Sequence, residues 1–103
     1  MAGPKLKITV LKKIFNQEIA EKYGQDAVVP CSAFAEGQEF VTDGMTQPDG
    51  FCGWAWNDIH KVCLTLAKGG TFAPSWMKDD KSLIASCTDG FRPVVFLVER
   101  LDD

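Results

Sequence analysis

Apolar and polar residues alternate at the start of the chain. Leu6, Ile8 and Val10 are separated by Lys7 and Thr9. This period of two predicts a strand with one buried face, ending near Phe15. Asn16 suits a helix N-cap, Glu18 a first turn and Gly24 a C-terminal stop. A helix of barely two turns is therefore expected over Gln17–Tyr23, too short to persist without packing. Residues 24–37, punctuated by Gly24, Pro30 and Gly37, read as a loop with Val28 and Val29 tucked inward. Gln38–Thr42 is a short strand with Phe40 as its core anchor. Asp43-Gly44 and Gln47-Pro48-Asp49-Gly50 make two turns.

From about Cys52 to Lys68 the chain has no Pro and one Gly. Cys52, Trp56, Ile59, Cys63 and Leu66 recur at the spacing of one helical face, with Trp54, Asp58, Lys61, Thr65 and Lys68 opposite. Gly69-Gly70 ends this main helix. Residues 71–81 read as a loop anchored by Phe72 and Trp76, with a charged tip at Lys78–Lys81. Leu83, Ala85 and Cys87 alternate with polar Ser82, Ser86 and Thr88, and Val94–Leu101 is strongly β-forming. Asp89-Gly90 between them is a turn pair. A two-residue turn there would set Pro93 opposite Ser86 at a hydrogen-bonded site, where proline has no N–H to give. A longer loop or a bulge is therefore expected. The order of elements predicts an α+β fold, a mainly antiparallel sheet with one long helix (about 52–68) and one short helix (about 17–23) packed on it.

At 103 residues the chain makes one domain, 1–103. A 46% hydrophobic and 24% charged composition is that of a folded globule. The formal net charge of -3 argues against a protein that neutralises phosphates, so no nucleic-acid partner is expected. No apolar run approaches the ~20 residues of a membrane span, and Met1–Lys5 lacks the apolar segment of a leader, so a cytoplasmic protein is expected.

In a reducing compartment the four cysteines, Cys31, Cys52, Cys63 and Cys87, read first as small buried hydrophobes. Their offsets of 21, 11 and 24 contain no C-x-x-C. His60 is the only histidine, which excludes multi-histidine zinc sites and leaves a His60–Cys63 pairing conceivable, with a structural His favoured. Phosphate-loop, dinucleotide, G-x-S-x-G and H-E-x-x-H patterns are absent.

Two segments go beyond generic pattern: Gly50-Phe51-Cys52-Gly53-Trp54-Ala55-Trp56-Asn57-Asp58-Ile59 and Cys87-Thr88-Asp89-Gly90-Phe91-Arg92-Pro93-Val94-Val95-Phe96. With Leu6–Lys12 and Glu36-Gly37-Gln38-Glu39-Phe40, they resemble an uncharacterised family of small conserved prokaryotic proteins, frequent in anaerobes. The resemblance spans nearly the whole chain. It implies no particular activity, but singles out Pro30-Cys31, Cys52, the Trp54/Trp56 pair, Asp58 and Cys87–Pro93. His60 and Cys63 fall outside its pattern.

The candidate chemistry gathers in these two segments. Cys52 starts the main helix, where the macrodipole and unpaired N–H groups stabilise a thiolate suited to nucleophilic attack or soft-metal binding. Trp54 and Trp56 stand about 200° apart around the helix, so one of them serves a second surface. Arg92 could hold a carboxylate or phosphate, and Asp89 could act as a base or orient Arg92. The leading expectation is an aromatic-lined pocket for a small anionic organic ligand, between the main helix and the Cys87–Arg92 turn. Cys52, Asp58 and Asp89 are its candidate catalytic groups, and Trp54, Cys87 and Arg92 its ligand-binding groups. One alternative is a metal or redox protein built on Cys31, Cys52 and Cys87. The other is a homo-oligomer joined through Trp54 and the Phe72–Trp76 loop. Neither cofactor nor reaction is specified by the sequence.

Overall fold

The N-terminal alternation becomes strand β1 (Lys5–Lys13), with Leu6, Ile8 and Val10 sealed in the core. The computed structural model describes residues 5–101; Met1–Pro4, read above for a leader, lie outside the described residues. Helix α1 (Gln17–Tyr23), strand β2 (Glu39–Thr42), helix α2 (Gly53–Ala67), strand β3 (Ser82–Ser86) and strand β4 (Val94–Leu101) follow. The strands form one antiparallel sheet in the order β2-β1-β4-β3, giving the expected α+β fold. No described helix is long and apolar enough to cross a membrane.

One face of α2 closes the core. Ala55, Trp56, Ile59, Cys63, Leu66 and Ala67 are buried on it, packed over the Leu6, Ile8, Val10, Leu83, Val94, Phe96 and Val98 face of the sheet. On the opposite sheet face, Lys7 reaches Glu39 and Glu99 at 3.8 and 3.9 Å. At one end of the core five aromatic rings meet, mostly edge to face: Phe34, Phe40, Phe51, Trp56 and Phe96, with neighbouring centroids 4.9–6.0 Å apart. Phe40 anchors β2 as expected. Phe34 and Phe51, both in loops, are the larger contributors by burial.

Several local expectations are corrected. Asn16 occupies the α1 cap position without capping it, because its backbone (φ -86°, ψ 75°) is not extended. Its amide donates instead to Gly90 O at 2.7 Å, and its N–H to Phe91 O at 2.8 Å. The short helix is tied to the β3–β4 loop in this way, and of its residues only Ala20 is buried; of the two described helices it is α2 that packs on the strands. Val29 faces outward at 52% exposure. Trp76 is 73% exposed, touching Phe72 edge-on, and it is Phe72 and Met77 that hold loop 71–81 to the core.

The conflict at Pro93 is resolved by length. Ser86 pairs with Val95, not Pro93, and Cys87 N donates to Val94 O at 3.0 Å. The register moves by two, so every side chain keeps its face. Residues 88–93 are left as a six-residue loop, and Pro93 uses its carbonyl to accept from Ile14 N at 2.9 Å. The β1–β4 register shifts at Leu11, between Val10 and Lys12, as at a β-bulge.

Candidate functional site

The β3–β4 loop is shaped by its own side chains. Asp89 Oδ1 accepts from the N–H groups of Phe91 and Arg92 at 3.0 and 3.2 Å, and its Oδ2 accepts from Arg92 Nε at 3.0 Å. Desolvation pushes the Asp89 carboxyl up. The hydrogen bonds from the Arg92 side chain and the two N–H groups, helped by the guanidinium charge, outweigh it and hold the group below its ordinary value. Asp89 is thus a lasting carboxylate that orients Arg92. Arg92 Nη1 makes a long contact of 3.4 Å to Val29 O, and Nη2 has no acceptor among the described residues.

A second carboxylate docks the loop onto α2. Asp58 accepts the Thr88 N–H at 2.8 Å and the Thr88 hydroxyl at 3.0 Å. Trp54, one turn earlier on α2, donates Nε1 to the same hydroxyl at 3.2 Å. Cys87 is buried and its sulfur accepts the Val94 N–H at 3.3 Å.

Cys52 holds the N-cap position of α2 with an extended backbone (φ -67°, ψ 127°), and its side chain makes no capping bond. The first helical bond runs from Trp56 N to Cys52 O at 2.9 Å. The N–H groups of Gly53, Trp54 and Ala55 therefore lack a partner among the described residues, as the first turn of a helix does without a cap.

Between this helix end, the 31–34 segment and the β3–β4 loop lies a cleft of about 360 Å³. Cys31, Cys52 and Cys87 line it with Trp54, Asp89 and Arg92, over a base that includes Phe34, Ala55 and Val94. No protein-family model, curated protein or solved structure matches the chain. Its own geometry is thus the ground for any functional reading. Trp54 and Asp89 also border a more open depression shared with Ile19, Thr88, Gly90 and Phe91.

Five of the six site residues singled out from the sequence, Cys52, Trp54, Cys87, Asp89 and Arg92, line this one cleft. Asp58 stands beside it, engaged with Thr88. The three thiols of the metal alternative share the cleft as free cysteines. Among the described residues no group of three His, Cys, Asp or Glu side chains is arranged to hold a metal ion. Cys63 is fully buried and burial pushes its thiol up to about 12. His60 lies against the Trp56 ring at 5.0 Å, its Nε2 buried and without a partner among the described residues. No His60–Cys63 hydrogen bond forms.

Sequence reasoning gave no role to Thr88, although it lies within the singled-out Cys87–Pro93 segment, and missed Phe34. Thr88 gave no signal of its own, since its part depends on Asp58 and Trp54 thirty and thirty-four positions away. Phe34 sits in an aperiodic stretch, and its apolar bulk between Ala33 and Ala35 was the one available hint.

Proposed function

We propose that the protein binds a small organic anion in the cleft between the N-terminus of α2 and the β3–β4 loop. One observation carries this reading. Arg92 lines a largely apolar cleft, its side chain held by Asp89 through Nε, with Nη2 unengaged among the described residues. A guanidinium so held presents a fixed donor edge to a carboxylate or phosphate. Trp54 supplies a flat apolar wall, and a cleft of about 360 Å³ suits a metabolite-sized ligand.

In this reading Asp89 and Asp58 are positioning groups. Asp89 aims Arg92, and Asp58 pins the loop through Thr88. The metal alternative finds three thiols around one cleft but no ligand set among the described residues. The oligomer reading would join Trp54 and the Phe72–Trp76 loop in one interface. Trp54 belongs to the first turn of α2, whereas Gly70 and Lys81, which flank the Trp76 loop, both bond Arg100 near the far end of β4.

The test is calorimetric titration with small carboxylates and inorganic phosphate. Arg92→Ala is expected to weaken anion binding by about 10- to 100-fold, the loss of a charge-assisted hydrogen-bonded pair. If no anion binds the unaltered protein, or Arg92→Ala binds equally well, the reading fails.

A further inference from the structure

The four thiols are not equivalent. Cys63 is sealed in the core, and Cys87 is buried with its sulfur engaged by the Val94 N–H. Cys31 and Cys52 remain, both half-buried on the cleft wall. Of these two, Cys52 stands at the start of a helix, beside the first-turn N–H groups of Gly53, Trp54 and Ala55, which have no acceptor among the described residues. The cleft therefore brings together a thiol and a guanidinium Nη2 that have no hydrogen-bond partner among the described residues, and a turn of backbone donors suited to a developing oxyanion.

We infer that the anion taken by this cleft is a short carboxylate with an adjacent carbonyl carbon, a 2-oxo acid, and that Cys52 captures it reversibly as a thiohemiacetal. This rests on the anion-cleft reading above. The carboxylate takes Arg92, which brings the carbonyl carbon into the cleft with Cys52 Sγ. The sulfur–carbon bond forms as the carbonyl π bond breaks, and its electron pair passes to oxygen. That oxygen faces the first-turn donors of α2 and takes up a proton, while the thiol proton leaves to water. Thiol and carbonyl add without loss, so no oxidant, reductant or metal enters. The shared cleft carries the inference, because it alone puts the anion anchor and the reactive sulfur on one ligand. The helix end contributes only oxyanion donors.

Glyoxylate labelled with carbon-13 is the probe, and glycolate is its partner with the same carboxylate but no carbonyl. By NMR the unaltered protein is expected to give one new tetrahedral carbon line per chain, distinct from the free hydrate. That line is lost in Cys52→Ser and in Cys52→Ala and kept in Cys31→Ser. By calorimetry, glyoxylate is expected to bind the unaltered protein at least about tenfold tighter than glycolate, and to fall to the glycolate level in both Cys52 variants. Glycolate affinity in those variants should stay within about twofold, which also shows that they fold. An adduct surviving both Cys52 substitutions, or equal affinity for the two acids, overturns the thiol inference while the anion site stands. If neither acid binds the unaltered protein, both readings fall together.

Discussion

At the scale of single residues, Gly44 shows what the fold demands of one missing methyl group. Its φ of +89° lies in the left-handed region, and a Cβ there would sit 2.6 Å from Ala67 Cβ and 3.1 Å from Cys63 O. Gly37 has a similar φ of +86° but opens onto space. Gly37→Ala is therefore expected to cost about 1–2 kcal/mol from backbone conformation alone. Gly44→Ala adds about 1–3 kcal/mol of overpacking against α2. Urea denaturation of the two variants checks the difference, and equal losses would mean that α2 moves aside freely. Asp89 makes a second prediction at this scale, one of pH. Its native carboxyl lies below the ordinary value, so its contribution to stability is complete above the unfolded pKa of about 3.9 and is lost as pH falls through the native value. Asp89→Asn keeps the side-chain acceptor that shapes the turn but removes the charge. It should be less stable than the unaltered protein at neutral pH and converge with it in strong acid. Asp43, whose carboxyl is lowered by the N–H groups of Met45 and Thr46, is common to both proteins and cancels from the comparison. A constant gap between the two urea midpoints down to acid pH would count against the Asp89–Arg92 pair.

Between elements, the site depends on how the β3–β4 loop is fastened to α2. The Thr88 hydroxyl is the joint, donating to Asp58 and accepting from Trp54. Thr88→Val keeps the shape and the backbone bond to Asp58 but removes both hydroxyl contacts. Hydrogen bonds of this kind contribute about 0.5–1.5 kcal/mol each to stability, so the fold should survive the change. Anion affinity should fall by more than the stability loss, with faster amide exchange over residues 88–92, and Thr88→Ser should restore both. Unchanged exchange in the valine variant would show that the loop holds itself. Much of this arrangement was legible in the sequence where a period or a forbidden bond spoke for it. Alternation marked β1 and the 3.6-residue repeat marked α2. The missing N–H of Pro93 excluded a two-residue turn and pointed to a longer loop or a bulge, of which the Ser86–Val95 register shows the longer loop. Contacts that join distant aperiodic segments left no such trace. Nothing around Asn16 distinguishes an amide that caps its helix from one that crosses to Gly90, and nothing around Phe34 says that it meets Phe96 at 5.2 Å. The cleft was legible as two segments rich in reactive groups. Its third wall, the 31–34 segment, is placed by tertiary packing.

For the molecule as a whole, the thiols report how core and cleft divide a small protein. A chain of 103 residues has one layer of helix over one sheet, and its cysteines run from the sealed centre to the cleft wall. A thiol-specific reagent applied to the native protein should label Cys31 and Cys52 first. Cys87 should follow more slowly, since its sulfur must leave the Val94 N–H. Cys63, with no exposed surface, should react only when the molecule opens globally, at a rate that denaturant raises in step with unfolding. The same burial sets an alkaline limit. The native Cys63 thiol is pushed up to about 12, against about 8.5 in an unfolded chain. Its share of stability is intact below the unfolded value and is lost as pH rises from there through the native one, because only the unfolded chain readily gives up that proton. Cys63→Ala lacks the proton, so its stability should decline less steeply than that of the unaltered protein above about pH 9. Parallel decline in the two proteins, together with labelling of Cys63 as early as Cys52, would mean that the core is open to solvent on the side where α2 covers the sheet. The division between an inert interior thiol and a reactive one at the cleft would then be lost.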